Sequence, residues 1–122
     1  MKKLIILCLL LGGCSLMPSK WDVNQARMVV NIRMEAGEMD CGKDPTESLT
    51  AITNDLNWLH TYSNYKGTSD LDKMTSVVQK TVSEFQANVA AKKSNGVYCQ
   101  LKKALIIQQA DIIGHTFQGS LP

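Results

Sequence analysis

Apolar positions fall into five blocks along the chain. The first is continuous: Leu4-Ile5-Ile6-Leu7-Cys8-Leu9-Leu10-Leu11, preceded by Met1-Lys2-Lys3 and followed by Gly12-Gly13-Cys14. It is far short of the roughly 20 apolar residues needed to cross a ~30 Å hydrocarbon core. A positive start, a short apolar stretch and small residues are instead the parts of an export signal.

The other four blocks recur at steps of three and four, the spacing of one helical face. Val23, Ala26, Val30, Met34, Gly37 and Cys41 predict a helix from Trp21 or Asp22 to about Met39, with Cys41 at its C-terminal end and Gly42 as a stop. Asp44 then predicts an N-cap. Pro45 sits at the first helical position, where its missing N–H costs nothing, and Glu47 completes a capping box. The face of that second helix is Leu49, Ile52, Leu56 and Leu59, ending near Tyr62 to Tyr65 before Lys66-Gly67.

Thr68 or Ser69 caps a third helix, whose face of Leu71, Met74, Val78, Val82, Phe85 and Val89 runs to about Ala91. Lys92 and Lys93 suit the negative end of its dipole. Ser94-Asn95-Gly96 turns the chain into a last helix from about Val97 to Phe117, through Cys99, Leu101, Leu105, Ile106, Ala110 and Ile113; Gln118 to Pro122 trail off. No strand alternation, repeat or long linker interrupts the pattern. The expected fold is therefore all-α, a small antiparallel four-helix bundle, because short connections between helices ~30 Å long force neighbours to run in opposite directions. In that scheme Cys41 and Cys99 meet at the end of the bundle far from the N-terminus.

The stretch Leu11-Gly12-Gly13-Cys14 resembles the lipobox of bacterial lipoproteins, in which the cysteine is acylated on sulfur and becomes the mature N-terminus. Cys8 does not fit, because Leu7 stands where a small residue is required. The resemblance implies residues 1–13 as a signal peptide, 14–20 as a lipidated tether and 21–122 as a helical periplasmic domain. Several acyl chains, each CH₂ worth ~0.8 kcal/mol, hold such a domain at a membrane. Ser15 follows the cysteine, where an Asp would favour retention in the inner membrane of enteric-type bacteria. The expected location is thus the outer membrane, lipid-anchored and facing the periplasm.

With Cys14 lipidated and Cys8 removed, Cys41 and Cys99 remain in an oxidising compartment and are expected to pair. Loss of residues 1–13 also removes Lys2 and Lys3 of the thirteen basic residues, leaving the mature chain near neutrality. No nucleic-acid footprint follows, and the pairs Lys92-Lys93 and Lys102-Lys103 read as solvated helix faces.

Catalytic patterns are missing. The sequence contains no GxSxG, HExxH, GxGxxG, P-loop or CxxC motif. His60 and His115 each lack a second donor at helical spacing, so no metal site or cofactor is expected. Neither catalysis nor a small-molecule substrate is expected, which leaves binding of an envelope protein partner. Trp58, Tyr62 and Tyr65 are the candidate contact residues, since aromatic side chains combine large contact area with low entropy cost.

Two resemblances bear on that partner. Ala36-Gly37 before Cys41, and then Cys99, are similar to the pilotins of type II secretion, helical outer-membrane lipoproteins whose disulfide joins the end of the first helix to the region before the last. Pilotins hold a helical segment of a secretin subunit. Cys14 to Asp22, "CSLMPSKWD", and Tyr98 to Ile113, "YCQLKKALIIQQADII", resemble small lipoproteins of tailed phages, among them outer spanin subunits that act in lysis with an inner-membrane coiled-coil protein, and others that exclude later infection.

Overall fold

A computed structural model describes residues 20–117. Residues 1–19, on which the expected signal peptide, Cys14 and the tether fall, and residues 118–122 lie outside that range. The described chain forms four helices: α1 Val23–Glu38, α2 Thr46–Lys66, α3 Ser69–Ala90 and α4 Gly96–Phe117. No strand occurs among the described residues. Each helix packs against two others: α1 on α2 and α4, α3 on α2 and α4. The ring leaves α2 and α4 diagonally opposite. It is an antiparallel four-helix bundle.

Its core takes one stripe from every helix: Val29, Ile32 and Ala36; Leu49, Ile52, Leu56 and Leu59; Leu71, Val78, Val82 and Phe85; Ile106, Ile113 and Phe117. Burying each of these larger side chains is worth about 1.5–3 kcal/mol. On α2 and α3 the inward stripe matches the predicted one, with Met74 and Val89 packed at its margin.

The inward face of α1 does not. Its buried residues are Gln25, Val29, Ile32 and Ala36, whereas Val23, Val30 and Met34 are about half exposed. Two apolar stripes run side by side on this helix. The inner one begins with a glutamine whose amide finds buried partners, and that lets it win over a stripe that is wholly apolar. Leu101 of α4 is a second departure, exposed at 66% rather than inward.

Local chemistry sets the helix ends. The Asp22 carboxylate accepts the Gln25 N–H while the Gln25 side chain accepts the Asp22 N–H, each at 2.9 Å, a complete capping box. Asp44 accepts from the backbone N–H of Thr46 at 3.0 Å and from its hydroxyl. The predicted reciprocal bond from Glu47 is not among those of the described residues. Thr68 is buried and, instead of capping α3, turns its hydroxyl to Gln25 and Ser63. Two helices end in Schellman motifs. In one, Gly67 (φ 74°) donates to Asn64 and Thr68 to Ser63; in the other, Lys92 (φ 57°) donates to Val89 and Lys93 to Asn88.

At the end of the bundle away from Trp21, Cys41 and Cys99 form a disulfide, with Cα atoms 5.7 Å apart. The pairing and its place at the distal end both agree with the sequence reading. Lys102 and Lys103 do not, because neither is a free solvated group. Lys102 Nζ lies 3.1 Å from Glu84, and Lys103 Nζ donates to the Met39 carbonyl oxygen at 2.8 Å, closing the C-terminus of α1.

Candidate functional site

Helical spacing places Trp58, Tyr62 and Tyr65 along the flank of α2 that borders α1. Trp58 and Tyr62 stack, with ring centroids 4.6 Å apart and planes 13° from parallel. The Tyr62 hydroxyl donates to Asp22 Oδ2 and accepts from Asn24 at 3.4 Å, so this ring is pinned to the start of α1. Trp58 keeps 39% of its surface in solvent. Tyr65, one turn further on, is 92% exposed. The three residues therefore share one flank but have two roles: Tyr62 braces the fold and holds Trp58 flat, and Tyr65 projects into solvent.

Around this flank the polar groups are fixed. Lys66 Nζ lies 3.6 Å from Asp22 Oδ2. Burial alone would raise the Asp22 carboxyl, but hydrogen bonds from Tyr62 and Gln25 and the charge of Lys66 hold it below the ordinary value. Below them the Gln25 amide donates to Ser63 Oγ at 3.3 Å and Thr68 Oγ1 at 2.8 Å, tying α1 to the α2–α3 turn. His60 Nδ1 meets Asp72 Oδ1 at 2.5 Å, a contact between α2 and α3.

A second polar contact lies in the α1–α2 interface, where the carboxyls of Glu35 and Asp55 face each other. Partial burial, then the hydrogen bond and charge of Asp55, then the charge of Glu38 push Glu35 up to about 7. Glu35 Oε2 and Asp55 Oδ2 are buried and accept no hydrogen bond from another group. A proton kept on Glu35 supplies the donor for its hydrogen bond to Asp55.

On the other side of α1, a shallow apolar groove of about 300 Å³ separates it from α4. Ala26, Val29 and Val30 form one wall, Ala110 and Gly114 the other, and the Arg33–Asp111 ion pair at 3.2 Å stands beside it. His115 lines this groove, remote from His60. Among the described residues no three His, Cys, Asp or Glu side chains converge as metal donors. No described helix is long and apolar enough to cross a membrane.

Sequence reasoning missed the Asp22–Gln25 box although D-x-x-Q is legible as such, and it missed the Glu35–Asp55 contact, which joins residues of different helices and leaves no local signal. Compared with known proteins, the chain matches no family model, no curated protein and no solved structure.

Proposed function

We propose that this chain is a lipid-anchored envelope protein, tethered to the outer membrane through Cys14, whose helical domain binds a protein partner in the periplasm and has no catalytic role. The observation that carries the binding reading is the α2 flank, where Trp58 is held flat by Tyr62 with two-fifths of its surface still open and Tyr65 stands free beside it. A ring braced in this way loses little further entropy on binding. A phage-encoded role in lysis, like that of an outer spanin, or in exclusion is the version suggested by the two ends of the sequence.

The α1–α4 groove favours a second reading, a pilotin-like chaperone for a secretin segment. Its apolar walls belong to the first and last helices, and the disulfide ties the connection that follows the first helix to the last.

Crosslinking in envelope membranes, followed by capture of C-terminally tagged wild type and of Trp58→Ala, tests both. A specific partner recovered with wild type and lost with Trp58→Ala supports the flank. A secretin recovered equally with both supports the groove. Recovery of nothing specific overturns the binding proposal.

A further inference from the structure

Tyr62 covers one face of the Trp58 ring, and it stands one turn further along α2. The open face of Trp58 is therefore turned the other way, toward the preceding turn, where Asp55 is its neighbour on the helix surface. Across the α1–α2 interface Asp55 meets Glu35, and Glu38 follows one turn later on α1. The charges that act on Glu35, those of Asp55 and Glu38, are both negative. Glu35 Oε2 and Asp55 Oδ2 accept no hydrogen bond from another group. An open aromatic face and three carboxyl groups thus lie side by side, and among the described ion pairs none joins any of the three to a cation.

The cations of α1, α2 and the connection between them are engaged elsewhere or lie apart. Lys66 is paired with Asp22, Arg33 with Asp111 and Lys43 with Asp40. Lys103 reaches α1 from the α4 side and is held by the Met39 carbonyl oxygen. Arg27 is exposed on α1, but it precedes Glu35 by two turns, about 12 Å along the axis. The side of the flank toward the disulfide therefore carries negative charge that no cation of the described residues answers.

Resting on the reading of this flank as a binding surface, we propose that its protein partner presents an arginine, laid over the open face of Trp58 with its guanidinium toward Asp55 and Glu35. The face of an indole attracts a cation more strongly than that of any other side-chain ring. Arginine suits the place better than lysine, because a planar guanidinium stacks on the ring while its edge donates to carboxylates. Asp55 and Glu38 supply negative charge even while Glu35 keeps its proton. An acidic partner is repelled here. An uncharged apolar one would draw three carboxyl groups further from water without bringing the donors they lack. Ring and charge together select a basic segment, and the same field steers its approach.

Fluorine NMR of the full chain, recovered from membranes in non-ionic detergent and carrying fluorotryptophan at Trp21 and Trp58, tests the assignment. The signal missing from Trp58→Phe belongs to Trp58. A short probe peptide of alternating arginine and serine should move that signal and leave the one from Trp21 in place. The same peptide with citrulline for arginine keeps the shape, loses the charge and should move neither. Asp55→Asn, and separately Glu38→Gln on the exposed side, should weaken the arginine peptide by about three- to tenfold, as should added salt. A Trp58 signal unmoved by the arginine peptide, or moved equally by the citrulline one, overturns the proposal. Crosslinking in envelope membranes separates this failure from that of the binding surface itself. A partner lost with Trp58→Ala but kept undiminished with the double variant Glu38→Gln, Asp55→Asn leaves the flank in place and refutes its basic occupant, whereas a partner kept with Trp58→Ala refutes the flank.

Discussion

The side-chain amide of Gln25 donates to Thr68 Oγ1 at 2.8 Å, joining the first turn of α1 to the turn between α2 and α3, with both residues buried. This bond, with those to Ser63 and Asp22, lets a glutamine occupy a core position and so decides which stripe of α1 faces inward. Gln25→Ala strands buried partners and opens a void, at an expected cost of about 2–4 kcal/mol. Met34→Ala, on the outer stripe, should stay within roughly 0.5 kcal/mol of wild type. Urea unfolding of the two variants checks the assignment; a larger loss from Met34→Ala would reverse the face.

Lys92 occupies the left-handed region at the C-terminus of α3, a place suited to glycine. Its backbone conformation is costly for a side chain, so Lys92→Gly should stabilise the domain by about 0.5–1 kcal/mol, or several degrees in Tm. Gly67→Ala, at the matching position after α2, should destabilise by a similar amount. Thermal melts monitored by circular dichroism give both signs.

The Cys41–Cys99 bond closes a loop with a sequence separation of 58, for which the chain-entropy model gives roughly 4 kcal/mol. Against a total of about 5–15 kcal/mol for a domain, that is a large share. The double substitution Cys41→Ser, Cys99→Ser should lower the urea midpoint markedly and abolish its sensitivity to reductant. An unchanged midpoint would mean the bond adds nothing.

Stability should fall as pH rises from about 4.5 to 7. Glu35 holds its proton up to about 7 in the fold but releases it near 4.5 when unfolded. The native state therefore binds more protons across this window and gains on acidification. Asp22 acts in the opposite sense at lower pH: its carboxyl lies below the ordinary value in the fold, and what it contributes is lost as pH falls further. A Tm maximum near pH 4, between the two windows, is expected. Glu35→Gln, which keeps a hydrogen-bonding amide beside Asp55, should flatten the slope and raise Tm at pH 8. A slope unchanged by this substitution would assign it to other groups.

Much of this fold is legible in the sequence. The apolar faces of α2 and α3, the glycine after α2 and the two distal cysteines all follow from local spacing. The face of α1 is not legible, because a stripe that includes Gln25 looks poorer than its neighbour until its partners in another helix are known. Leu101 misleads for a related reason. Its apolarity is genuine, but the surface it belongs to points away from the core. Of the aromatic flank, the sequence marks the three residues but not their division into a brace, Tyr62, and two open rings.

Mass spectrometry of the mature N-terminus, on protein expressed from the full chain and recovered from outer-membrane fractions, tests the central claim most directly. A chain beginning at Cys14 with acyl groups attached, and residues 1–13 removed, is the expected result. An unmodified Cys14 inside a chain that begins at Met1, or is cut beyond residue 14, would contradict the account of a lipid-tethered envelope domain.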